Sequence, residues 1–289
     1  MVERASRRRS GRSSEDREGH APLSLMERKF VRGVALDSAG DRTHGPTKNR
    51  DDALWWQGSS ESTLEVATLS ATDVSAVVPK DSSLDRDAMR ADSGGRPLFP
   101  LGFVEKHLTL KSGEPRATLS VEVPFSGSLE SGDALIELTR LQLERAGKLT
   151  HEDVAKILDD PSHAMFEFFN GCADLALHLR GERGADTSLG TNPDHEVPTM
   201  IVEEFAELAH RSVTSSLAES EAQAIFRRRN NGLFIPDFEE GSSVKITGGM
   251  RRRDALVNQR VLSAFRRREE APYSQKELEN ICKSLNKKS

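Results

Sequence analysis

The run from Met165 to Leu179 places the firmest constraint on how this chain can fold. Met165, Phe168, Phe169, Cys172, Leu175, Ala176 and Leu179 fall at i, i+3, i+4, i+7, i+10, i+11 and i+14, one apolar stripe along an α-helix. Such a helix must bury its stripe against a partner element. A shorter helix is predicted to open after Thr150, because Asp153 stands three residues on, at the spacing of a capping box. Asp160-Pro161 closes it, since the residue before a proline avoids helical geometry. A second long stripe, Met200, Ile201, Phe205, Leu208, Ala209 and Val213, follows an interval rich in Gly, Asn, Pro and Asp from Gly184 to Pro198, which reads as loop. The strand signals come earlier, at Leu64–Leu69 and Ala117–Val123. Ser83 is placed to cap a short helix from Leu84, and Gly94–Gly102 reads as loop. Strands first and helices later predict an α+β domain, mixed sheets packed by amphipathic helices. The Met and Phe stripes, Cys172 included, are read as core.

Composition narrows the function classes. The chain has 289 residues, 36% of them hydrophobic, enough for one substantial core and a tail. A net charge of -5 and a pI near 6.0 exclude a protein that is basic all over, so contact with nucleic acid must come from local patches. The two cysteines, Cys172 and Cys282, show no zinc spacing. They fit a reducing intracellular compartment, the cytoplasm or an organelle matrix. No apolar run approaches membrane-spanning length, so no membrane partner is expected. Residues 1–34 read as a flexible, disordered tail: Arg4, Arg7, Arg8, Arg9 and Arg12 stand among serines, and apolar residues are sparse before Leu23. Glu3, Glu15, Asp16 and Glu18 weaken a transit-peptide reading; a basic RNA arm stays open.

Two stretches carry chemistry. Asp51 and Asp52 stand at the mouth of the apolar run Ala53, Leu54, Trp55, Trp56. They look like half of a four-carboxylate cluster of the form D-x5-D-x-D-D, with Thr43 and Asn49 at the other two positions. Magnesium needs several hard oxygens converging on it. Asp51 and Asp52 are therefore the candidate metal ligands, for one weakly held ion, and a polar turn before a strand is the plainer reading. The second stretch is rich in arginine. Arg251, Arg252, Arg253, Arg260, Arg266, Arg267 and Arg268 are predicted in one helix that opens from Thr247-Gly248-Gly249. Its buried side would be Leu256, Val257, Val261, Leu262 and Phe265. A helix N-terminus favours phosphate, and the forked guanidinium matches phosphate oxygens. Arg251, Arg252, Arg253 and Arg260 are thus the candidate RNA-binding residues; the alternatives are a solvated basic face, pairing with Glu239-Glu240, or an acidic protein partner. Glu203 and Glu204 point about 100° apart on a helix, so one is expected to face solvent. Aromatic residues make up only 5%, which argues against a tight, processive grip on single strands.

A series of short segments adds a resemblance. Asp51-Asp52-Ala53-Leu54 is followed by Ser70-Ala-Thr-Asp73-Val74-Ser75-Ala-Val-Val-Pro79 and Leu84-Asp85-Arg86-Asp87-Ala88. Then come Pro97-Leu-Phe-Pro100 with Arg116-Ala-Thr-Leu119-Ser120, and Leu149-Thr-His151-Glu152-Asp153-Val154. Last are Ile201-Val-Glu203-Glu204-Phe205 and Gly248-Gly-Met-Arg251-Arg252-Arg253 through Arg260. In this order they resemble the RNB family, the catalytic domain of ribonuclease II and ribonuclease R. The resemblance implies a metal role for Asp51 and Asp52, a catalytic role for Asp52, and contact of Arg251 with the phosphate beside the scissile bond. Asp73, at a retained family position, would support the site from behind. The departures are as informative. Thr43 and Asn49 replace acids, His151 stands for a tyrosine and still has a ring to stack on a base, Gly248-Gly249 stands for Ser-Pro, and Arg253 for a tyrosine. Residues 35–289 are thus read as an RNB-like domain, shortened between about 227 and 248 and truncated at its C-terminus before a family glutamate.

These departures imply a catalytically impaired pseudo-nuclease that binds single-stranded RNA or acts within a ribonucleoprotein or RNA-processing assembly. The alternative is a weak magnesium-dependent 3′–5′ exoribonuclease acting on single-stranded RNA, with Mg2+ as its cofactor. A divergent product without a stable function also stays open.

Overall fold

The computed structural model describes residues 24–37, 50–58, 65–90, 98–144, 149–185, 187, 193–219 and 244–286. Its centre is a five-stranded mixed sheet in the order β1-β6-β5-β4-β3. The strands are β1 (Lys29–Gly33), β3 (Asp52–Gln57), β4 (Glu65–Thr72), β5 (Arg116–Phe125) and β6 (Leu135–Leu143). β1 runs parallel to β6, and the other pairs are antiparallel. The sheet curls on itself: just past β1, Val34 exchanges both backbone hydrogen bonds with Leu54 of β3, at 2.8 and 3.0 Å. Gly33 permits that closure, since a Cβ there would stand 2.8 Å from Leu141 Cδ1 and 3.0 Å from Ala53 Cβ. A small parallel pair, β2 (Leu36–Asp37) with β7 (Leu149–Thr150), sits apart from the main sheet.

One side of the sheet carries the long helices. α3 (His151–Leu158) has the expected capping box between Thr150 and Asp153. α4 (Phe166–Glu182) and α5 (Pro193–Glu219) follow. Phe169, Cys172, Leu175, Ala176 and Leu179 from α4, and Met200, Ile201, Phe205, Leu208, Ala209 and Val213 from α5, are all buried in the main core with Trp56, Leu119 and Phe125. α5 starts five residues before Pro198, within the interval read as loop. Proline inside a helix forfeits one backbone hydrogen bond. The burial of this 27-residue helix outweighs that loss.

The other side is built differently. β4 is buried continuously from Ala67 to Thr72, so it is covered on both faces. Hydroxyls line the strands there: Ser70 meets Ser120 at 2.6 Å, Ser120 meets Thr139 at 2.6 Å, and Thr118 meets Thr139 at 2.7 Å. Against this side lie a short 3-10 turn (Val74–Ala76), α1 (Ser83–Arg90), α2 (Leu101–Phe103) with a π turn continuing it (Val104–Leu108), and α6 (Arg253–Arg266). Val74, Val78, Ala88, Leu98, Phe99, Val104, Leu108, Met250 and Leu256 form a second core there. α7 (Gln275–Asn286) packs Leu278 against Val257, Val261 and Tyr273. Its start was missed, although the signal is local: Ser274 and Glu277 cap each other's backbone N–H, at 2.8 and 3.3 Å, the same S-x-x-E logic as at Thr150. The cap of α1 is Ser82 rather than Ser83, since Ser82 Oγ accepts the Asp85 N–H at 3.2 Å.

The tail expectation changes at its end. Residues 29–33, expected as flexible, form a strand paired with β6, because β6 offers an edge that they complete. Residues 1–23, Thr43, Asn49, Glu239-Glu240 and most of the 227–248 connection lie outside the described residues. Among the described residues no helix is long and apolar enough to cross a membrane.

Candidate functional site

Asp51 sits where three segments meet. Its carbonyl accepts the Thr72 N–H at 2.6 Å, at the end of β4, and the Arg50 carbonyl accepts the Leu110 N–H at 2.9 Å. Opposite stands the turn Thr247–Arg251. Gly248 has φ +80°, and its carbonyl accepts the N–H groups of Arg251 and Arg252, both at 2.8 Å. Met250 is buried in the second core, and its carbonyl accepts the Leu98 N–H at 2.8 Å. Gly249 is held by close approach, since a Cβ there would lie 2.6 Å from Gln259 Oε1. Gln259 in turn donates to the Ile246 carbonyl at 2.7 Å and accepts from Val74 N at 3.2 Å. The Gly-Gly pair is therefore built into the turn that aims Arg251.

The result is an ion pair. Arg251 Nη2 donates to Asp51 Oδ1 at 2.8 Å; the Asp51 side chain is 4% exposed and that of Arg251 35%. The second Asp51 oxygen, Oδ2, is buried without a hydrogen-bond partner. Burial raises the carboxyl of Asp51, and the Arg251 charge opposes this. Asp52, half-buried, is pushed up to about 7, first by burial and then by the charge of Asp51, with Arg251 again opposing. Asp52, pushed up to about 7, is thus only partly ionised at neutral pH beside the Arg251–Asp51 pair.

The other candidate residues are used differently. Asp73 is fully buried, and its described hydrogen bonds go to Arg28 (2.9 Å), Ser75 (2.5 Å), the Ala76 N–H (3.3 Å) and Ser263 (3.5 Å). It ties β1's approach to α6 instead of backing Asp51 or Asp52. The predicted arginine helix starts two residues later than expected, with Arg252 as its N-cap. Every residue from Arg253 to Ala264 is buried, so the alternative of a solvated basic face does not hold over that stretch, and only Arg266 at its end is exposed. Arg260 pairs with Asp85 at 2.6 Å and also donates to the Tyr273 hydroxyl at 2.8 Å and the Val78 carbonyl at 3.0 Å. Arg253 donates to the Met89 carbonyl at 3.0 Å. Both are removed from an RNA-binding face because the helix packs between a sheet and two other helices. Arg251 and Arg252 alone of the four keep substantial exposure, and Arg252 pairs with Asp254 at 2.5 Å. His151, whose ring was read as one that could still stack weakly on a base, is buried. Glu203 faces solvent, whereas Glu204 is buried against Arg183.

One group near the site was missed. His210 on α5 is buried, and burial with the charges of Lys245 and Arg252 lowers it to about 4. Burial and Arg252 also lower Lys245, against Asp254 and Glu207. This cluster joins α5 to the turn before α6; its members come from three separate segments, so no spacing announces it.

For a divalent ion the described donors fit poorly. Asp51 Oδ2 and Asp52 would be the oxygens to hold it. Among the described residues no third carboxylate, histidine or cysteine gathers with them, and magnesium favours six oxygen ligands in near-octahedral order.

A family model described as RNB domain matches residues 41–287. No curated protein matches. Among solved structures, yeast Ssd1, described as a pseudonuclease, superimposes with a TM-score of 0.69 at 14% identity, over 91% of this chain and 43% of that one. Mycoplasma genitalium RNase R, in complex with ribose methylated single-stranded RNA, gives 0.63 at 13% identity, over 96% and 56%. The Dss1 exoribonuclease from Candida glabrata gives 0.64 at 14% identity, over 89% and 43%. The chain thus spans about half the length of these structures.

Proposed function

The chain belongs to the RNB-domain family, and from that premise we propose that it is a catalytically impaired member, a pseudo-nuclease that binds single-stranded RNA through Arg251. The observation that carries this reading is the Arg251–Asp51 ion pair. A guanidinium stands on a buried carboxylate oxygen that a divalent ion would need. The same guanidinium is exposed enough to meet a phosphate, and its fork suits phosphate oxygens. Thr43 and Asn49 add no charge to the cluster. The likeness to a structure described as a pseudonuclease supports the first half of the reading, and the likeness to one with bound single-stranded RNA supports the second.

A second reading has its own observation. Asp51 Oδ2 is buried and unpartnered, and Asp52 is pushed up to about 7; an acid pair of that kind gains most from a cation. It favours a weak magnesium-dependent 3′–5′ exoribonuclease in which Asp51 and Asp52 are ligands and Arg251 steadies the phosphate.

One experiment separates them. The chain is incubated with end-labelled single-stranded RNA, with and without magnesium, beside Asp52→Asn and Arg251→Ala variants. The pseudo-nuclease reading expects no stepwise shortening, and salt-sensitive binding that Arg251→Ala weakens about tenfold. Magnesium-dependent release of mononucleotides, abolished in Asp52→Asn, would establish the second reading in its place.

A further inference from the structure

The segment Leu98–Leu110 is fastened at both ends to the backbone beside the Asp51–Arg251 pair. Leu98 N–H bonds the Met250 carbonyl, one residue before Arg251, and Leu110 N–H bonds the Arg50 carbonyl, one residue before Asp51. Between these fasteners Leu98, Phe99, Val104 and Leu108 are buried in the second core. Thr109 and Leu110 are buried as well, and the side chains between Pro100 and His107 other than Phe103 and Val104 are turned outward. Leu101 is 59% exposed, and Lys106 and His107 are exposed. Phe103, half-buried, stacks with His107: their ring centroids are 4.9 Å apart and tilted by 39°. Phe99 lies beneath, 6.1 Å from Phe103. The order Phe99, Phe103, His107 is a column of rings that starts in the core and ends at the surface.

Such a column has an unused end. The core is closed by Phe99, Val104 and Leu108, so stability does not require an exposed ring at position 107. A flat aromatic ring backed by another is what a nucleobase stacks upon, whatever the base. The surroundings suit a polyanion. Lys106 and Lys111 flank the stack, while the nearby acid Glu114 is taken up by Arg116 at 2.6 Å; Glu105 is the opposing exposed acid. His107 is three residues from Leu110, a separation of at most roughly 11 Å along the chain, so a strand laid on Arg251 needs only a few nucleotides to reach it. The helical register matters too. A π turn runs from Val104 to Leu108, and turns of this rare kind recur at functional sites.

We propose that the Phe103–His107 stack is a platform for a base of single-stranded RNA, while a phosphate of the same strand rests on Arg251. The proposal rests on the RNA-binding reading above and names how that site would take its ligand.

The test uses the full chain and short single-stranded RNAs labelled at the 5′ end, with 2-aminopurine placed at each position in turn. Anisotropy reads binding, and 2-aminopurine quenching reads stacking. His107→Ala is expected to weaken binding about tenfold, the loss of one base–aromatic stack, and to relieve quenching at one or two positions. His107→Trp is expected to restore both. An exposed residue is changed, so the fold is retained, and circular dichroism checks this. If the parent binds RNA and Arg251→Ala weakens binding, while His107→Ala alters neither affinity nor quenching, the platform is overturned and the RNA reading stands. If an RNA lacking bases binds as tightly as the intact one, the platform is likewise overturned. If the parent chain binds no RNA, both readings fall together.

Discussion

Asp73 and Asp51 show how two aspartates of one chain can be put to opposite uses. Both are buried, and each meets an arginine, at 2.9 and 2.8 Å. The partner decides the difference. Arg28 is itself 1% exposed at its side chain, so the Arg28–Asp73 pair is enclosed and structural. Arg251 is 35% exposed, so its pair can open to an incoming anion. Removing one member of an enclosed pair leaves the other charge buried and uncompensated, which costs about 3–5 kcal/mol. Asp73→Asn is therefore expected to lower stability by about that amount in urea unfolding. A loss under about 1 kcal/mol would mean that Arg28 finds solvent when its partner is gone.

At the scale of elements, the approach of α4 to β3 is set by one small residue. A Cβ on Gly171 would lie 2.6 Å from Trp56 Nε1 and 2.7 Å from Trp56 Cδ1. The indole is held in the core against Phe125, with centroids 6.0 Å apart, so it has little room to give. Gly171→Ala would ordinarily favour a helix by about 1 kcal/mol. Here overpacking is expected to reverse the sign and destabilise by about 1–3 kcal/mol. Thermal unfolding followed through tryptophan fluorescence reads both the loss and the moved indole; an unchanged or higher Tm would show that α4 can shift away without cost. α6 makes the complementary point. Its buried arginines are tied to carbonyls and to Asp85, while Arg253 Nε and Nη2 and Arg260 Nε stay buried without a hydrogen-bond partner, and so it serves as a central helix rather than a basic surface.

Across the whole molecule, acid is expected to act through His210. This histidine lies between α5 and the turn before α6, with Lys245 and Arg252 facing it and Asp254 and Glu207 beyond them. Its folded-state value is lowered from 6.5 to about 4, so the unfolded chain takes up a proton that the folded chain refuses. Stability is then fully present above about pH 6.5 and is lost progressively as pH falls towards 4. The loss reaches about 3 kcal/mol at the bottom of that window. Urea unfolding at a series of pH values should show this slope in the parent and a shallower one in His210→Gln. Equal slopes would place the acid sensitivity elsewhere.

What was legible in the chain was whatever rests on local spacing. The stripes of α4 and α5 and the strands on either side of residue 100 are periodic, and periodicity survives any tertiary context that has a core to offer; the capping box at Thr150 that opens α3 is equally local. The family segments were legible for the same reason, being short and in order. The candidate site was legible only in part: Asp51 and Arg251 do meet, although 200 residues separate them. The fate of Asp73, Arg253 and Arg260 was not legible, because a charged side chain reads alike whether it will face water or a buried partner. Arg260 finds Asp85 across 175 residues, and Asp73 finds Arg28 across 45. Residues 29–33 looked like tail because their strand needs β6 beside it. The same holds for the Phe99–Phe103–His107 column, whose rings are core or surface only once the second core has closed beneath them. The amino-acid sequence thus set the elements and their order, since these follow from neighbours along the chain. Burial, which decides what each charge and each ring can do, was left to the packing of distant segments.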